Sequence, residues 1–527
     1  MKALIAWYLR AALLTIILMS TGVLAIEQDK VPGGLKVESI ELRGSTTIDE
    51  SEKDGLLDDY YHRELFPEDL VAIRNLITHY YIDHGYLSSG ATISRDHYKN
   101  GVLYIDVVEG ALPEMNISTS GNLTSRYINR LVSFKLNLPF NIQEFQVAIQ
   151  RAEQDIRIDY IRAELRPGNS PGLSKMNLVV SETNPLHFVV KANNYRSPSV
   201  GEQQIQLGIS HQNLTGHGDE LSLFYDRTEG TDGGGIDYRF PVLSTATHAE
   251  LYFLRGETIV IEKPFDEIDI TSDIDTFGVM LNHVMWRESN QNIIAVGLER
   301  KSSKTTLLGE PYDFSFGYSD GESEASVFVL SGEYIRKTSQ DALVARVIYR
   351  REVEWFGLNA LPSPVDDFQL VIAQLKFARR FEWARLGQLV WSLTANLQLT
   401  KDILPSFEKF ALGGHQSVRG YRENSLLKDN AFELLSEIRI PILQNVNLNG
   451  LEVSLIPFIG FARGWNSVDI ANSNRFDELG SAGVGIKLTH GSGVGFDLFW
   501  AQRFNKKDRF GHSLQDQSLH MELRYVF

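Results

Sequence analysis

"SLHMELRYVF", residues 518 to 527, carries a strict two-residue period. Leu519, Met521, Leu523, Tyr525 and Phe527 fall on one side, while Ser518, His520, Glu522 and Arg524 fall on the other. Successive side chains point to opposite faces of a strand, so this segment is a strand with one greasy face and one wet face. The pattern extends upstream. "GVGFDLFWA" (493–501) sets Val494, Phe496, Leu498 and Trp500 against Gly495, Asp497 and Phe499; "AVGLER" (295–300) sets Val296 and Leu298 against Gly297 and Glu299; "IQLGISHQ" (205–212) sets Ile205, Leu207 and Ile209 against Gln206, Gly208 and Ser210.

Two architectures accept such strands. A soluble sandwich buries the apolar face against a second sheet; a membrane barrel turns it to lipid and keeps a polar lumen. Gly, Ser, Asp, Glu and Arg on the inner face of long strands favour the barrel. Strand starts fall near 186, 200, 218, 234, 246, 273, 290, 325, 341, 366, 388, 430, 450, 478, 493 and 517, which is sixteen. Bacterial barrels have an even number, and roughly 21 residues for each strand and its connection suits spans of about 9–11 residues. Sixteen strands leave an aqueous channel, whereas eight are filled by side chains.

Upstream of Pro185 the period changes. "KVESIELRG" (36–44) reads as a strand, "FPEDLVAIRNLITHYYIDHGY" (66–86) as a helix with Leu70, Ile73, Ile77 and Tyr80 on one face, and "VLYIDVVEG" (102–110) as a closing strand. Residues 113–182 repeat the order. "EMNISTSGN" is a strand, Asn141 and Glu144 make a capping-box start, Phe145, Ile149, Ala152 and Ile156 form the stripe, and "KMNLVVSET" closes the unit. The chain therefore reads as two α+β modules, 36–110 and 113–182, followed by a barrel over 185–527.

Lys2 and Arg10, the apolar run Ala11–Met19 and the site Val23-Leu24-Ala25 read as a secretory signal over 1–25, with 26–35 as a short linker. The chain has no cysteine, which excludes disulfides and thiolate metal sites and suits an oxidising compartment. A formal net charge of −16 argues against nucleic acid as a partner. A Walker-type phosphate loop is missing from the sequence, so no nucleotide chemistry is expected.

Three stretches together carry a resemblance. "ITHYYIDHGYLSSGATISRDHYKNGVLYIDVVEGAL" (77–112), "NLTGHGDELSLFYDRT" (213–228) and "FALGGHQSVRGY" (410–421) resemble the outer-membrane transporters of two-partner secretion, the haemolysin-activator and filamentous-haemagglutinin-transporter type. The likeness spans essentially the whole mature chain. It implies two periplasmic POTRA (polypeptide-transport-associated) domains and a 16-stranded antiparallel transmembrane β-barrel with a lumen-inserted loop, set in outer-membrane lipid. It further implies no enzymatic activity and no cofactor, and export of one large partner polypeptide, unfolded in transit. A barrel-assembly factor and a small-solute porin are the alternatives. Many relatives carry a plug helix before the first module, and the short linker leads us to expect none in this chain.

The VRGY tetrapeptide lies between Lys401 and Lys428, in a connection too long for a simple turn. On residues alone it is a surface loop with a solvated arginine or a functional one. The resemblance implies that the loop folds into the lumen and that Arg419 pairs with a carboxylate on the wall, with Gly413, Gly414 and Gly420 allowing close approach and Val418 and Tyr421 packing beside the tip. The family's usual partner is the aspartate of a Gly-x-Asp-x-Gly strand motif, but "GFARG" (460–464) has Ala462 there. Alternation turns Glu433 and Glu437 inward with Arg439, and Asp497 inward on its own strand. Glu437, then Glu433 or Asp497, are the candidate replacements.

Other motifs carry less. "FDEIDITSDID" (265–275) lacks EF-hand spacing and reads as a solvated loop, His79 and His84 diverge around their helix, and "HGSGVG" (490–495) joins two strands with no helix to receive a phosphate. No metal site is expected.

Overall fold

The computed structural model describes residues 34–93, 97–132, 139–287, 290–314, 320–354, 367–383, 387–445, 450–468, 476–505, 511 and 513–527. The expected signal peptide, and all of the linker but Gly34 and Leu35, lie outside the described residues. So does the segment on which the plug-helix expectation rests.

In the first module the strand Ser39–Arg43 pairs in parallel with Val102–Val108, which takes Gly90–Thr92 on its other side, antiparallel. The long helix Pro67–Asp83 opens with proline at its first turn, where a missing N–H costs nothing. Its buried stripe is Ile73, Ile77 and Tyr81, a clean four-residue spacing; Tyr80, expected in that stripe, is only partly buried. Tyr81 is selected because its hydroxyl donates to Glu109 Oε1 at 2.9 Å across the module. The helix Glu50–Leu57 escapes sequence reading, since only Lys53 and Leu57 are buried along it.

The second sheet has the order Ala111–Thr119, Leu173–Glu182, Ile158–Pro167. Asn141 does cap the helix Ile142–Ala152, its Oδ1 accepting from the Gln143 and Glu144 amides at 2.9 and 3.3 Å. Ile156, expected on that helix, lies beyond its end and is exposed.

The barrel strands are β1 (Leu186–Asn193), β2 (Gln204–His211), β3 (Glu220–Arg227), β4 (Thr231–Pro241), β5 (Thr247–Ile259), β6 (Thr271–Arg287), β7 (Asn290–Leu307) and β8 (Glu322–Lys337). They continue as β9 (Asp341–Glu352), β10 (Gln369–Trp383), β11 (Gly387–Thr400), β12 (Asn430–Asn445), β13 (Leu451–Trp465), β14 (Asp477–Thr489), β15 (Val494–Arg503) and β16 (Leu519–Val526). Each pairs antiparallel with its neighbour, and β16 returns to β1 with Val189 opposite Val526 and Asn193 opposite Glu522. The ring is closed. Every expected strand start lies within four residues of its observed position.

The outward rows consist of apolar side chains that no protein covers: Ile205 is 58 % exposed, Leu523 52 % and Trp500 47 %. In water such a belt would be unstable, whereas in a bilayer it meets its own solvent. None of the described helices is long and apolar enough to cross a membrane, so the crossing is made by strands. With sixteen strands both ends of the barrel segment lie at one end of the barrel, and the connections after odd-numbered strands open at the other end.

One turn at the end of the barrel where β1 begins explains the "NLTGHGD" stretch. Between β2 and β3, Asp219 accepts the Thr215 amide at 2.9 Å and the Tyr238 hydroxyl at 3.0 Å, while the Gly216 carbonyl accepts from Thr124 N at 2.9 Å. The Tyr127 ring lies so close to Gly218 that a Cβ there would come within 2.3 Å of it. Glycine is required by space.

Candidate functional site

The connection between β11 and β12 turns back as a hairpin whose stem pairs Phe410–Leu412 with Leu426–Lys428. Its tip, 413–425, bends through Gly413, Gly414 and Gly420, all at positive φ. Gly414, at φ 105°, holds a backbone conformation that favours glycine, and a Cβ there would also meet the Glu423 carboxylate, which accepts the His415 amide at 2.5 Å.

The tip rests on the inner wall of β12 to β16. Arg419 is only 5 % exposed; its Nη1 donates to Glu437 Oε1 on β12 at 2.5 Å and its Nε to the His415 carbonyl at 2.9 Å. The flat guanidinium lies 4.0 Å from the ring centre of Phe499 on β15 and 4.8 Å from Phe458 on β13. This combination of a charge-assisted bond and aromatic faces suits arginine and not lysine. Val418 is fully buried among Leu412, Tyr421, Ala431, Ala462 and Leu479. The Tyr421 hydroxyl donates to the Gly480 carbonyl at 3.0 Å, and the Gly420 amide to His520 Nε2 on β16 at 3.1 Å.

Of the three candidate carboxylates, the structure brings Glu437 to Arg419. Glu433 instead accepts the Ser417 hydroxyl and, at 2.6 Å, the Asn396 amide. Asp497 accepts Lys487 Nζ at 3.0 Å. Arg419, Glu437, Arg439, Lys487 and Asp497 nevertheless share one polar cavity of about 160 Å³. Ala462 belongs to a floor of small residues on β13. A Cβ on Gly460 would lie 3.5 Å from Val418 Cα, and one on Gly464 2.8 Å from Leu412. The motif's aspartate position, Ala462, is thus fully buried in the apolar cluster around Val418.

Two attachments escaped the sequence reading. Glu408, at the start of the loop, accepts Lys301 Nζ at 2.8 Å and Arg350 Nε at 3.0 Å. Arg422 donates to Asp516 at 2.7 Å and to Glu262 at 3.0 Å, on connections after β15 and β5. Inward alternation marks Glu299, Lys301 and Arg350 as lumen residues; nothing periodic marks their partners in connections. His79 and His84 each bond a carbonyl of their own helix at 2.7 Å, and no cluster with metal-holding geometry occurs among the described residues.

The family model described as haemolysin secretion/activation protein ShlB/FhaC/HecB matches residues 172–488, and that of the ShlB-type POTRA domain matches 35–110. The chain belongs to the ShlB/FhaC/HecB family. It is 22 % identical over 485 residues to the outer membrane transporter CdiB of Escherichia coli, covering 86 % of this chain and 76 % of that one. The haem/hemopexin transporter HuxB of Haemophilus influenzae strain 86-028NP is 21 % identical over 82 % of this chain and 77 % of its own. The haemolysin transporter HpmB of Proteus mirabilis is 20 % identical, with the same shares of 82 % and 77 %. Among solved structures, CdiB from Escherichia coli superposes with a TM-score of 0.65 at 19 % identity, covering 96 % of this chain and 93 % of that one. BamA from Haemophilus ducreyi lacking POTRA domains 1–3 does so at 0.58 and 14 %, covering 94 % and 100 %. These structural likenesses concern fold. As a ShlB/FhaC/HecB protein the chain is an outer-membrane transporter for a secreted partner protein and not an enzyme, with its barrel in the outer membrane and its POTRA region in the periplasm.

Proposed function

We propose that this transporter moves one large polypeptide, unfolded and extended, through its lumen, that residues 36–110 and 113–182 are its two periplasmic receiving modules, and that the loop 401–429 yields to let the client pass. A small α+β module with a free sheet edge can take an extended client as an added strand, main-chain bonds giving affinity and side-chain pockets selectivity. The wet face of the barrel strands then offers an extended chain polar company along its path. Neither nucleotide nor cofactor is required, and folding of the client outside makes passage irreversible.

The observation that carries this reading is the seat of Arg419 on Glu437, which lays a loop from the outer side across the lumen. A client of any length meets that loop. Secretion of the partner by Arg419→Ala and Glu437→Gln transporters, measured beside barrel levels in the membrane, tests it: secretion falls while the barrel persists. Secretion by both variants at the level of the native transporter would remove the loop from the mechanism. On the alternative reading, a barrel-assembly factor, deletion of the gene lowers outer-membrane barrels generally; on the transport reading those levels stay normal.

A further inference from the structure

Besides the Arg422 bonds to Asp516 and Glu262, the loop is attached to the lumen wall at its Arg419 tip and at Glu408. Its tip reaches Phe499 on β15, whereas Glu408 reaches Lys301 on β7. Strands eight apart in a closed ring of sixteen are diametrically opposed. The two attachments differ in kind.

At the Glu408 end, charge is balanced and enclosed. Glu408 accepts from Lys301 Nζ and from both Nε and Nη2 of Arg350, and Arg350 also donates to Glu299, which accepts the Tyr252 hydroxyl. The Glu408 side chain is 4 % exposed, and those of Arg350 and Glu299 are each 11 % exposed. Gln398 on β11 fastens the backbone, donating to the Glu408 carbonyl at 3.0 Å and the Asp429 carbonyl at 3.1 Å. Leu404 and Phe407 pack beside it against Val327, Phe368 and Leu370. Pulling Glu408 away would strand Arg350, 11 % exposed, and Lys301, 18 % exposed, with one carboxylate, and Arg350 would find little water to replace its bonds.

At the Arg419 end the Glu437 side chain is 22 % exposed and opens on the polar cavity that also holds Arg439 and Lys487. Water and neighbouring cations can satisfy Glu437 after the arginine leaves. We infer that Glu408 is a positioning residue: with Arg350, Lys301 and Glu299 it forms a fixed pivot for the lumen loop, and the Arg419 tip alone detaches and returns during each passage. This rests on the reading that the loop yields to the client.

Because the chain lacks cysteine, two engineered tethers separate the ends. Val418→Cys with Gly460→Cys joins the tip to β13 by a disulfide, and Lys301→Cys with Glu408→Cys, bridged by a short bis-maleimide, locks the opposite end. With partner secretion as the readout, and heat-modifiable migration verifying the folded barrel, the tip tether stops secretion until reductant is added. The bridged pivot keeps it within about twofold of its unbridged form. Arrest by the pivot bridge overturns this inference; continued secretion through the oxidised tip tether overturns instead the reading that the loop moves. If the pivot pair does not fold, Glu408→Gln in a planar bilayer serves. Loss of charge-assisted bonds should raise the occupancy of long, fully open states roughly tenfold or more, with conductance unlike that of Arg419→Ala, and identical traces for the two variants overturn the pivot.

Discussion

Glu433 on β12 is the cross-strand partner of Ala462 on β13. The wall therefore keeps a carboxylate at the level where the family motif has one, but on the adjoining strand, and a second, Glu437, takes the arginine. Ala462 can stay small beneath Val418 because the charge has moved sideways.

Restoring the motif in this background should harm it. Ala462→Asp places a second carboxylate opposite Glu433 and under an apolar side chain, a buried and unpaired group costing about 1–3 kcal/mol. The heat-modifiability midpoint of the purified barrel should fall, and Ala462→Asp with Glu433→Ala should recover much of the loss. A double variant worse than the sum of the singles would deny that the two sites share one charge.

Arg419→Lys separates charge from shape. Lysine keeps the attraction to Glu437 but loses the fork that also reaches the His415 carbonyl, and the flat stack on Phe499. Partner secretion should drop nearly as far as in Arg419→Ala, by roughly tenfold for one lost charge-assisted bond. Secretion by the lysine variant at the native level would show that charge alone suffices.

The first module should loosen in acid through one glutamate. Burial pushes the Glu109 carboxyl up, but hydrogen bonds from the Thr46 hydroxyl and amide, the Tyr81 hydroxyl and Thr47 pull it further down, so it lies below its usual 4.5. A carboxyl depressed by folding stabilises the fold above its unfolded value and loses that contribution as pH falls through the folded value. Protease nicking of the module in the full chain should therefore rise as pH drops below about 4.5. Glu109→Gln should be nicked more readily at neutral pH and show a flatter profile; an unchanged profile would clear Glu109.

Continuous pairing across the closing seam leads us to expect that the client passes through the lumen and not through the wall. Asn194, fully buried just past β1, donates to the Leu519 carbonyl at 2.9 Å and accepts the Met521 amide at 2.8 Å, extending the β1–β16 ladder toward the outer side. A disulfide between Ala192→Cys and Leu523→Cys, which are register partners, should leave secretion intact. Arrest that reductant relieves would mean that the wall opens, as an assembly factor requires.

A client mutated so that it cannot fold should cross more slowly and incompletely, because nothing then prevents its return. Pulse-labelled client accessible to external protease gives the measure, and an equal yield would require another driving force.

The barrel is legible from sequence because its two solvents impose a two-residue period, and that period survives even in the short terminal strand. Modules with one wet face and one small core give weaker cues. Ile158–Pro167 buries only Ile158 and Ile161, with no alternation, and so reads as nothing in particular. Glu437 could be anticipated since it shares a strand face with Arg439. Glu408 could not, because its partners Arg350 and Lys301 lie 58 and 107 positions away and only the closed ring brings them together.

The lumen is never bare polypeptide-sized space awaiting its first visitor. Gln398 and His520 on the wall bond main-chain atoms of the resident loop, groups that every peptide possesses whatever its side chains. On the reading that the tip swings away from His520, the partner it vacates is a generic one, and the wall would lend to a client the contacts it now makes with its own loop.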